Sequence, residues 1–401
     1  MTKADVYDYA ATRLPDEWKS TIDFFWEGFT NHADAIDRYF TDSDESVDPA
    51  ETTIALLKAL PTQLLWEYGS GEAGGHRLTI TSELNSDAHV LARAVMNRAP
   101  ELPRWSFSDA RSAENDPDFV RQAITVRTFT NDLAISDVSF AKGHARTINV
   151  VAHASMPDTD ASLAAGQGEM FMSAWLGEYG ERLWLGEFLS EQVFYPKKKF
   201  LGRLKLSKPL VVAAVGGKLD ATIASLKEKS PMEPWSSVDL ENASWASMNG
   251  NPKGEDFLWR DDTIAAISAY ADVTLASLQG DRFRSERFSR HGETFCFLKI
   301  DGSEDDPIGR FEDRDGIEIA LNELLQPSGL GAAIGGATGA RYTYIDLALV
   351  DLENSIEAVC GLLREGNLTR RAWLHFNDDG LDDFWVPVWP DAPAPPLRTR
   401  H

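Results

Sequence analysis

Two segments of the chain, Leu78–Asp109 and Leu347–Asp378, align with each other without a gap. In each segment, apolar residues first alternate, then recur at helical spacing, and then alternate again; Leu78 and Ile80, for example, correspond to Leu347 and Leu349. Side chains repeat at every second residue in a strand and about every 3.6 residues in a helix. Both segments are therefore predicted to fold as strand, helix, strand, with the helix on one face of a sheet.

The two copies share apolar spacing and not reactive groups. His89 corresponds to Ala358, and Arg104 corresponds to Trp373. Of the charged residues and the histidine in the first copy, only Asp109 corresponds to an identical residue in the second copy, Asp378. A duplicated active site would have kept its reactive side chains, so the repeat indicates a common scaffold.

The length and the order of predicted elements divide the chain. At 401 residues it is too long for one ordinary core, and roughly 150 residues per domain predicts two or three domains. The boundaries that we predict are an N-terminal α+β module at 1–112, a second α+β module at 113–210, a connecting region with a helix at 211–290, a C-terminal module at 291–389 and a mobile tail at 390–401.

The predicted fold class is α+β, with two or three ferredoxin-like modules built on antiparallel sheets. Residues 294–376 read as β-α-β-β-α-β, which is the ferredoxin-like order. The two earlier modules read as helix, strand, strand, helix, strand, a variant of it. In the connecting region, Ile264, Ile267, Tyr270 and Leu275 lie at helical spacing and predict a helix.

The net charge of -24 bears on the class of partner. It repels the phosphates of nucleic acids and anionic lipid head groups, so neither nucleic acid nor membrane is expected as a partner. Such a surface attracts basic proteins instead, although acidity also serves solubility alone. With no apolar run of about 18 residues and no signal-peptide pattern at the N-terminus, a cytoplasmic location is expected.

No motif fixes a chemistry, and neither a cofactor nor a metal is expected. Cys296 and Cys360 lie among apolar residues and are predicted to fill cores. The glycines of 329–339 lack the spacing of a dinucleotide or phosphate loop and precede a strand, which favours a flexible connection or a hairpin. The acidic run at 304–306 is predicted to be a solvated loop, and the basic segment 197–208 is predicted to be a surface strand or linker that faces acidic neighbours.

Five residues are the candidates for binding a ligand. Glu67 and Asp346 are single carboxylates in apolar strands, and Tyr344 precedes Asp346 by two residues. Facing a groove with an aromatic ring such as Trp105, they would bind a cationic group. Glu178 belongs to a Leu-Gly-Glu motif that follows a helix, where Gly177 is predicted to end that helix in a left-handed conformation.

A resemblance to a known family rests on residues of the first half of the chain. Leu65–Glu67, Leu78–Ser82, and the aromatic residues Phe25, Trp26, Trp105 and Phe107 together resemble an uncharacterised family of bacterial cytoplasmic proteins. The motif Leu176–Glu178 is similar to that family's second landmark. The resemblance implies an α+β fold and a bacterial origin, and it supplies neither an activity nor catalytic residues.

Three hypotheses about the function compete. The first is a non-enzymatic binding protein, an inhibitor or immunity-type partner of a basic protein, in keeping with the charge and the open-faced modules. The second is a hydrolase or another enzyme with carboxylates in a cleft between modules, for which Glu67, Glu178 and Asp346 are the first candidates. The third is an oligomer-forming protein, whose copies would associate through exposed apolar residues near Trp385 and Trp389.

Overall fold

The computed structural model describes residues 5–71, 74–83, 85–114, 116–156, 158–189, 194, 210–252, 257–279, 282–303 and 307–396. The basic segment 197–208 and the acidic run 304–306 lie outside these described residues. The chain forms two compact units, a smaller one of residues 2–113 with 176–182 and a larger one of 114–175 with 183–401. The fold class is α+β, as predicted.

Besides the helical residues 176–182, the described part of the smaller unit contains four α-helices and three strands, namely α1 (Val6–Ala11), α2 (Asp16–Asp42), α3 (Pro49–Leu57), β1 (Leu65–Ser70), β2 (His76–Thr81), α4 (His89–Asn97) and β3 (Trp105–Ser108). The strands lie in the order β1-β2-β3. β1 and β2 are antiparallel, whereas β2 and β3 are parallel. The parallel pair follows from α4, because a helical crossover returns the chain to the end of the sheet where β2 began.

The core of the smaller unit lies between α2 and the sheet. Phe25 and Phe29 on α2 are fully buried, as are Leu78 and Ile80 on β2. The indole Nε1 of Trp26 donates a hydrogen bond to the carbonyl oxygen of Val95, at 2.7 Å. This contact satisfies the one polar atom of a ring that is otherwise in apolar surroundings.

The larger unit begins with the same order of elements. They are α5 (Pro117–Arg127), β4 (Ile135–Lys142), β5 (Ile148–Ala154), α6 (Ala161–Trp184) and β6 (Leu185–Phe188), although residues 176–182 of α6 belong to the smaller unit. Again the first two strands are antiparallel and the last two are parallel. The prediction that residues 113–188 repeat the helix, strand, strand, helix, strand order is confirmed.

The rest of the larger unit builds a seven-stranded sheet. Its elements are α7 (Val212–Lys227), β7 (Ala246–Asn249), β8 (Thr263–Ser268), α8 (Ala271–Gln279), β9 (Thr294–Asp301), α9 (Arg314–Leu325), β10 (Gly331–Gly339), β11 (Tyr342–Leu349), α10 (Leu352–Glu365), β12 (Ala372–Phe376) and β13 (Trp385–Pro387). The strand order is β13-β12-β9-β11-β10-β8-β7, with every pairing antiparallel. The order β-α-β-β-α-β predicted for residues 294–376 is present in β9 to β12.

The predicted helix through Ile264 and Leu275 is wrong in its first half. Residues 263–268 form β8, which pairs with β10, and a helix starts only at Ala271. The helical spacing of Ile264 is misleading because that side chain is half exposed, while its neighbours Ala266 and Ser268 are buried. Tertiary pairing with β10 therefore decides the conformation of this segment.

The two sequence repeats fold alike and pair differently. In the first copy β2 and β3 are direct neighbours. In the second copy β11 and β12 point the same way but are separated by β9, which pairs antiparallel with both. The glycines of 331–339 form β10 and a hairpin with β11, which confirms the hairpin interpretation. At the C-terminus, the carbonyl of Pro393 accepts a hydrogen bond from Trp373 Nε1.

Candidate functional site

Glu178 is buried in the smaller unit and is held by internal donors. Gly177 has φ 65°, as predicted for a residue that interrupts a helix, but the helix resumes after it and continues to Trp184. Glu178 accepts hydrogen bonds from the hydroxyl of Thr81 and from the backbone N–H of Arg111, the latter at 3.2 Å. The carboxylate thus joins the end of β2 to the segment that follows β3.

Arg111 brings two of the predicted site residues together. Its guanidinium lies 3.9 Å from Glu67, 4.0 Å from Glu178 and 3.0 Å from Glu83. Burial acts to lower the pKa of Arg111, but the hydrogen bond that Arg111 donates to Glu83 and the charges of the surrounding carboxylates outweigh it and raise the pKa. The arrangement is a charge-balancing cluster around one cation.

Arg182 completes this network from the same helical turn as Glu178. Its Nη1 donates to Ser82 Oγ at 2.9 Å and lies 3.6 Å from the Glu178 carboxylate. The same atom lies 2.7 Å from Nδ1 of His89. A guanidinium has donors only, so Nδ1 of His89 must be the unprotonated, accepting nitrogen.

Trp105 and Glu67 lie on opposite faces of the smaller sheet. Trp105 packs edge-on against Phe29 of α2, with ring centroids 5.1 Å apart. Trp66 and Tyr68 share that face, so Glu67, which alternates with them along β1, points to the other face. The structure therefore does not bring Glu67 and Trp105 into one cation-binding cage.

Tyr344 and Asp346 lie in the larger unit, on one face of the seven-stranded sheet. Asp346 is almost fully buried and lies 2.5 Å from Nη1 of Arg260, which is equally buried. Its second oxygen accepts from Thr274 Oγ1 at 3.1 Å. The Tyr344 hydroxyl donates to Asp262, and burial, followed by this hydrogen bond, raises the pKa of the tyrosine.

Lys299 and His375 share this polar face, and neither was predicted from the sequence to be a site residue. Lys299 Nζ donates to the carbonyls of Phe257 and Trp259, each at 2.9 Å, and burial lowers its pKa to about 8. His375 stacks on Phe297 with ring centroids 5.3 Å apart. Neither of its ring nitrogens has a hydrogen-bond partner among the described residues, and burial, aided by the charge of Lys299, lowers its pKa to about 3.

The polar groups on this face hold the segment 257–262 and α8 against the sheet. The sequence contains one indication of these polar groups. Lys299 lies two residues after Phe297, and therefore on the same face of the strand, in a run that is otherwise apolar. Arg260 and Asp262 carry no such signal, since they lie in a turn-rich stretch without periodicity. Among the described residues, no group of three His, Cys, Asp or Glu side chains is placed to hold a metal ion.

An exposed acidic surface on α2 was also missed. Residues 16–51 contain eleven acidic and two basic side chains, whereas the rest of the smaller unit has ten acidic and nine basic ones. Asp23, Glu27, Asp34 and Asp37 follow one another at helical spacing and form what we call the acidic stripe. A local charge count along the chain would have found it.

The two ends of the acidic stripe are tied to the loop between α4 and β3. Arg98 contacts Asp23 at 2.5 Å, and Arg104 contacts Asp37 at 3.0 Å. The stripe and the loop therefore run side by side. Glu27 and Asp34, between these anchors, are exposed and have no ion pair within the part of the chain that the structure describes.

Trp105 also borders an open groove of about 660 Å³ in the same loop. The apolar residues that line the groove include Met96, Ala99, Pro100, Leu102 and Phe107, and Glu101 is its one charged residue. Residues of β3 line the groove, and among the described strands β3 pairs with β2 alone and so forms an edge of the sheet.

None of the helices in the described ranges has both the length and the apolar character needed to cross a bilayer. Comparisons of the chain with models of known protein families, with curated proteins and with solved structures give no match.

Proposed function

We propose that the chain is a non-enzymatic binding protein, an inhibitor or immunity-type partner, that recognises a basic protein through the acidic stripe of α2. The observation that carries this proposal is the uncompensated charge of Glu27 and Asp34. Both lie on one exposed helix face, between two carboxylates that internal arginines already neutralise. The stripe is therefore both fixed in position and open to a cation.

Electrostatics favour a basic partner over other classes. Nearly all of the net charge of the smaller unit falls within residues 16–51. A surface of one sign steers an oppositely charged partner during encounter, and charge pairs at the rim then set the orientation. The exposed Phe24, one helical turn from Glu27 and 59% accessible, adds an apolar contact of the kind that anchors protein interfaces.

The buried carboxylates support binding in preference to catalysis. Glu178 and Asp346 accept hydrogen bonds from Thr81, Arg111 and Thr274, and each lies beside a buried arginine. Their oxygens are occupied by internal donors. The two lie in different units, and each is explained by the packing of its own unit.

The test measures binding of the full chain to a fluorescein-labelled lysine homopolymer by fluorescence anisotropy. The double variant Glu27→Gln, Asp34→Asn is expected to weaken binding about fivefold at low salt, because two exposed charge pairs contribute roughly 0.2–1 kcal/mol each. Binding should also fall as salt screens the charges.

A matched control changes the same charge elsewhere. Glu323→Gln with Glu357→Gln removes two exposed carboxylates from α9 and α10 of the larger unit. This control should bind the polymer as the unchanged chain does. Equal weakening in both double variants would show that net charge and not the acidic stripe is responsible, and the proposal would then be rejected.

A further inference from the structure

We propose that the groove between α4 and β3 receives a large apolar side chain of the basic partner, presented by an extended segment with Lys or Arg on both sides. This inference rests on the proposed function and makes it more specific. It is carried by the carboxylate in the lining of the groove, by the acidic stripe tied to the groove's loop, and by the lining residues that belong to an edge strand.

The walls of the groove are suited to an apolar anchor. Trp105 and Phe107 are partly buried by α2 on one side and line the groove as well. Ala99, Pro100 and Leu102 also line the groove, in a loop that is held in place at Arg98 and Arg104 by the acidic stripe. Preformed apolar walls lower the cost of ordering on binding.

One carboxylate lies in the lining of the groove, and two more lie on the helix that is tied to its loop. Glu101 belongs to its lining. Glu27 and Asp34 lie on the stretch of α2 that runs beside the loop, since the residues on either side of them along the stripe contact Arg98 and Arg104. A cationic side chain on either side of an apolar anchor would therefore meet a carboxylate.

The sheet edge explains why the bound segment is extended. Trp105, Ser106 and Phe107 all line the groove, so the backbone of β3 follows its length. β3 is the last strand of its sheet, and an edge strand presents backbone donors and acceptors to an added strand. An extended segment can satisfy them while its alternate side chains enter the groove.

The experiment compares two peptides for binding to the full chain by fluorescence anisotropy. One has a central Trp with Lys and Arg on both sides, and the other has Ala in place of the Trp. We expect the Trp peptide to bind about tenfold more tightly, because burial of part of an indole ring contributes roughly that factor. The variant Ala99→Tyr, which fills the groove, should abolish this preference, so that the two peptides bind with the same affinity.

Two further variants separate this inference from the proposed function. Glu27→Gln with Asp34→Asn should weaken both peptides equally and keep the preference for Trp. Leu102→Asn, in the loop, should reduce the preference as Ala99→Tyr does, and a circular dichroism spectrum identical to that of the unchanged chain shows that each variant is folded.

The results that would contradict the groove differ from those that would contradict the proposed function. Equal binding of both peptides to the unchanged chain, with loss in the acidic-stripe variant, would overturn the groove and leave the proposed function intact. A Trp preference that survives both groove variants would likewise overturn it, because the ring would then be held elsewhere. Binding of neither peptide would overturn the proposed function together with the groove.

Discussion

Nη1 of Arg260 lies 2.5 Å from Oδ1 of Asp346, and both side chains are almost completely removed from solvent. Thr274 and Ser277 on α8 add hydrogen bonds to this pair. The pair joins β11 to the segment that covers the sheet. Buried charges of this kind are stable only as a unit, because each partner alone would be an uncompensated charge in an apolar interior.

Asp346→Leu should therefore destabilise the larger unit by about 3–5 kcal/mol, since Arg260 would remain buried without its carboxylate. The double variant Arg260→Met, Asp346→Leu should lose much less than the single variants Arg260→Met and Asp346→Leu together. Urea unfolding of all four proteins, followed by circular dichroism, measures the difference. Additive losses would mean that the two side chains contribute independently.

Gly177→Ala should lower stability by about 2 kcal/mol or more, because a side chain is strained at φ 65° and the new Cβ would lie 2.5 Å from the backbone nitrogen of Ala113. Gly217→Ala is the matched control. It lies within α7 with open space around the new methyl group, and it should stabilise by roughly 0.5–1 kcal/mol. Shifts of the urea midpoint in the same direction for both variants would contradict the strain at Gly177.

Glu318 on α9 should make stability fall as pH rises toward neutrality. Burial raises its pKa to about 7, although the charge of Arg314 acts in the opposite direction. A carboxyl with a raised pKa in the folded state contributes stability that is present below its unfolded pKa of about 4.5 and is lost as pH rises through about 7.

Glu318→Gln, which resembles the protonated form, should therefore gain about 2 kcal/mol relative to the unchanged chain between pH 5 and pH 8. Thermal unfolding at both values checks this. Glu323→Gln, on the same helix but exposed, should show no such pH dependence. A constant difference at the two pH values for Glu318→Gln would argue against the raised pKa.

His375 should have the opposite pH dependence. Its folded pKa of about 3 is depressed from the ordinary value, mainly by burial and then by Lys299. Its contribution is therefore complete above about pH 6.5, and it is lost as pH falls toward 3.

His375→Phe keeps a flat ring against Phe297 and removes the group that must take up a proton on unfolding. Between pH 8 and pH 5 the variant should gain about 2 kcal/mol over the unchanged chain. Urea unfolding at the two pH values measures this gain. The exposed His32, changed to Gln, should leave the pH dependence as it was, and an equal effect of both changes would count against His375.

Local sequence pattern was enough for many elements of the fold. The alternation around Leu78 and Leu347 and the helical spacing between the strands correctly gave two strand, helix, strand segments, because side-chain periodicity is a local property. At Ile264 the periodicity was misleading. The spacing of the apolar residues was helical, but pairing with β10 makes this segment a strand. The candidate site residues could be chosen from the sequence by their chemical type, but neither their surroundings nor their hydrogen-bond partners could be predicted.

By itself, the sequence determined the α+β class, the order of elements in residues 294–376 and the concentration of negative charge. Only the tertiary structure decided that β9 lies between β11 and β12, that Glu178 belongs with Thr81 and Arg111, and that Trp105 and Glu67 occupy opposite faces. The physical reason is the distance along the chain over which each property is determined. Periodicity and charge are fixed by neighbours in the chain, whereas strand pairing and the burial of a polar group depend on which distant residues can satisfy its hydrogen bonds.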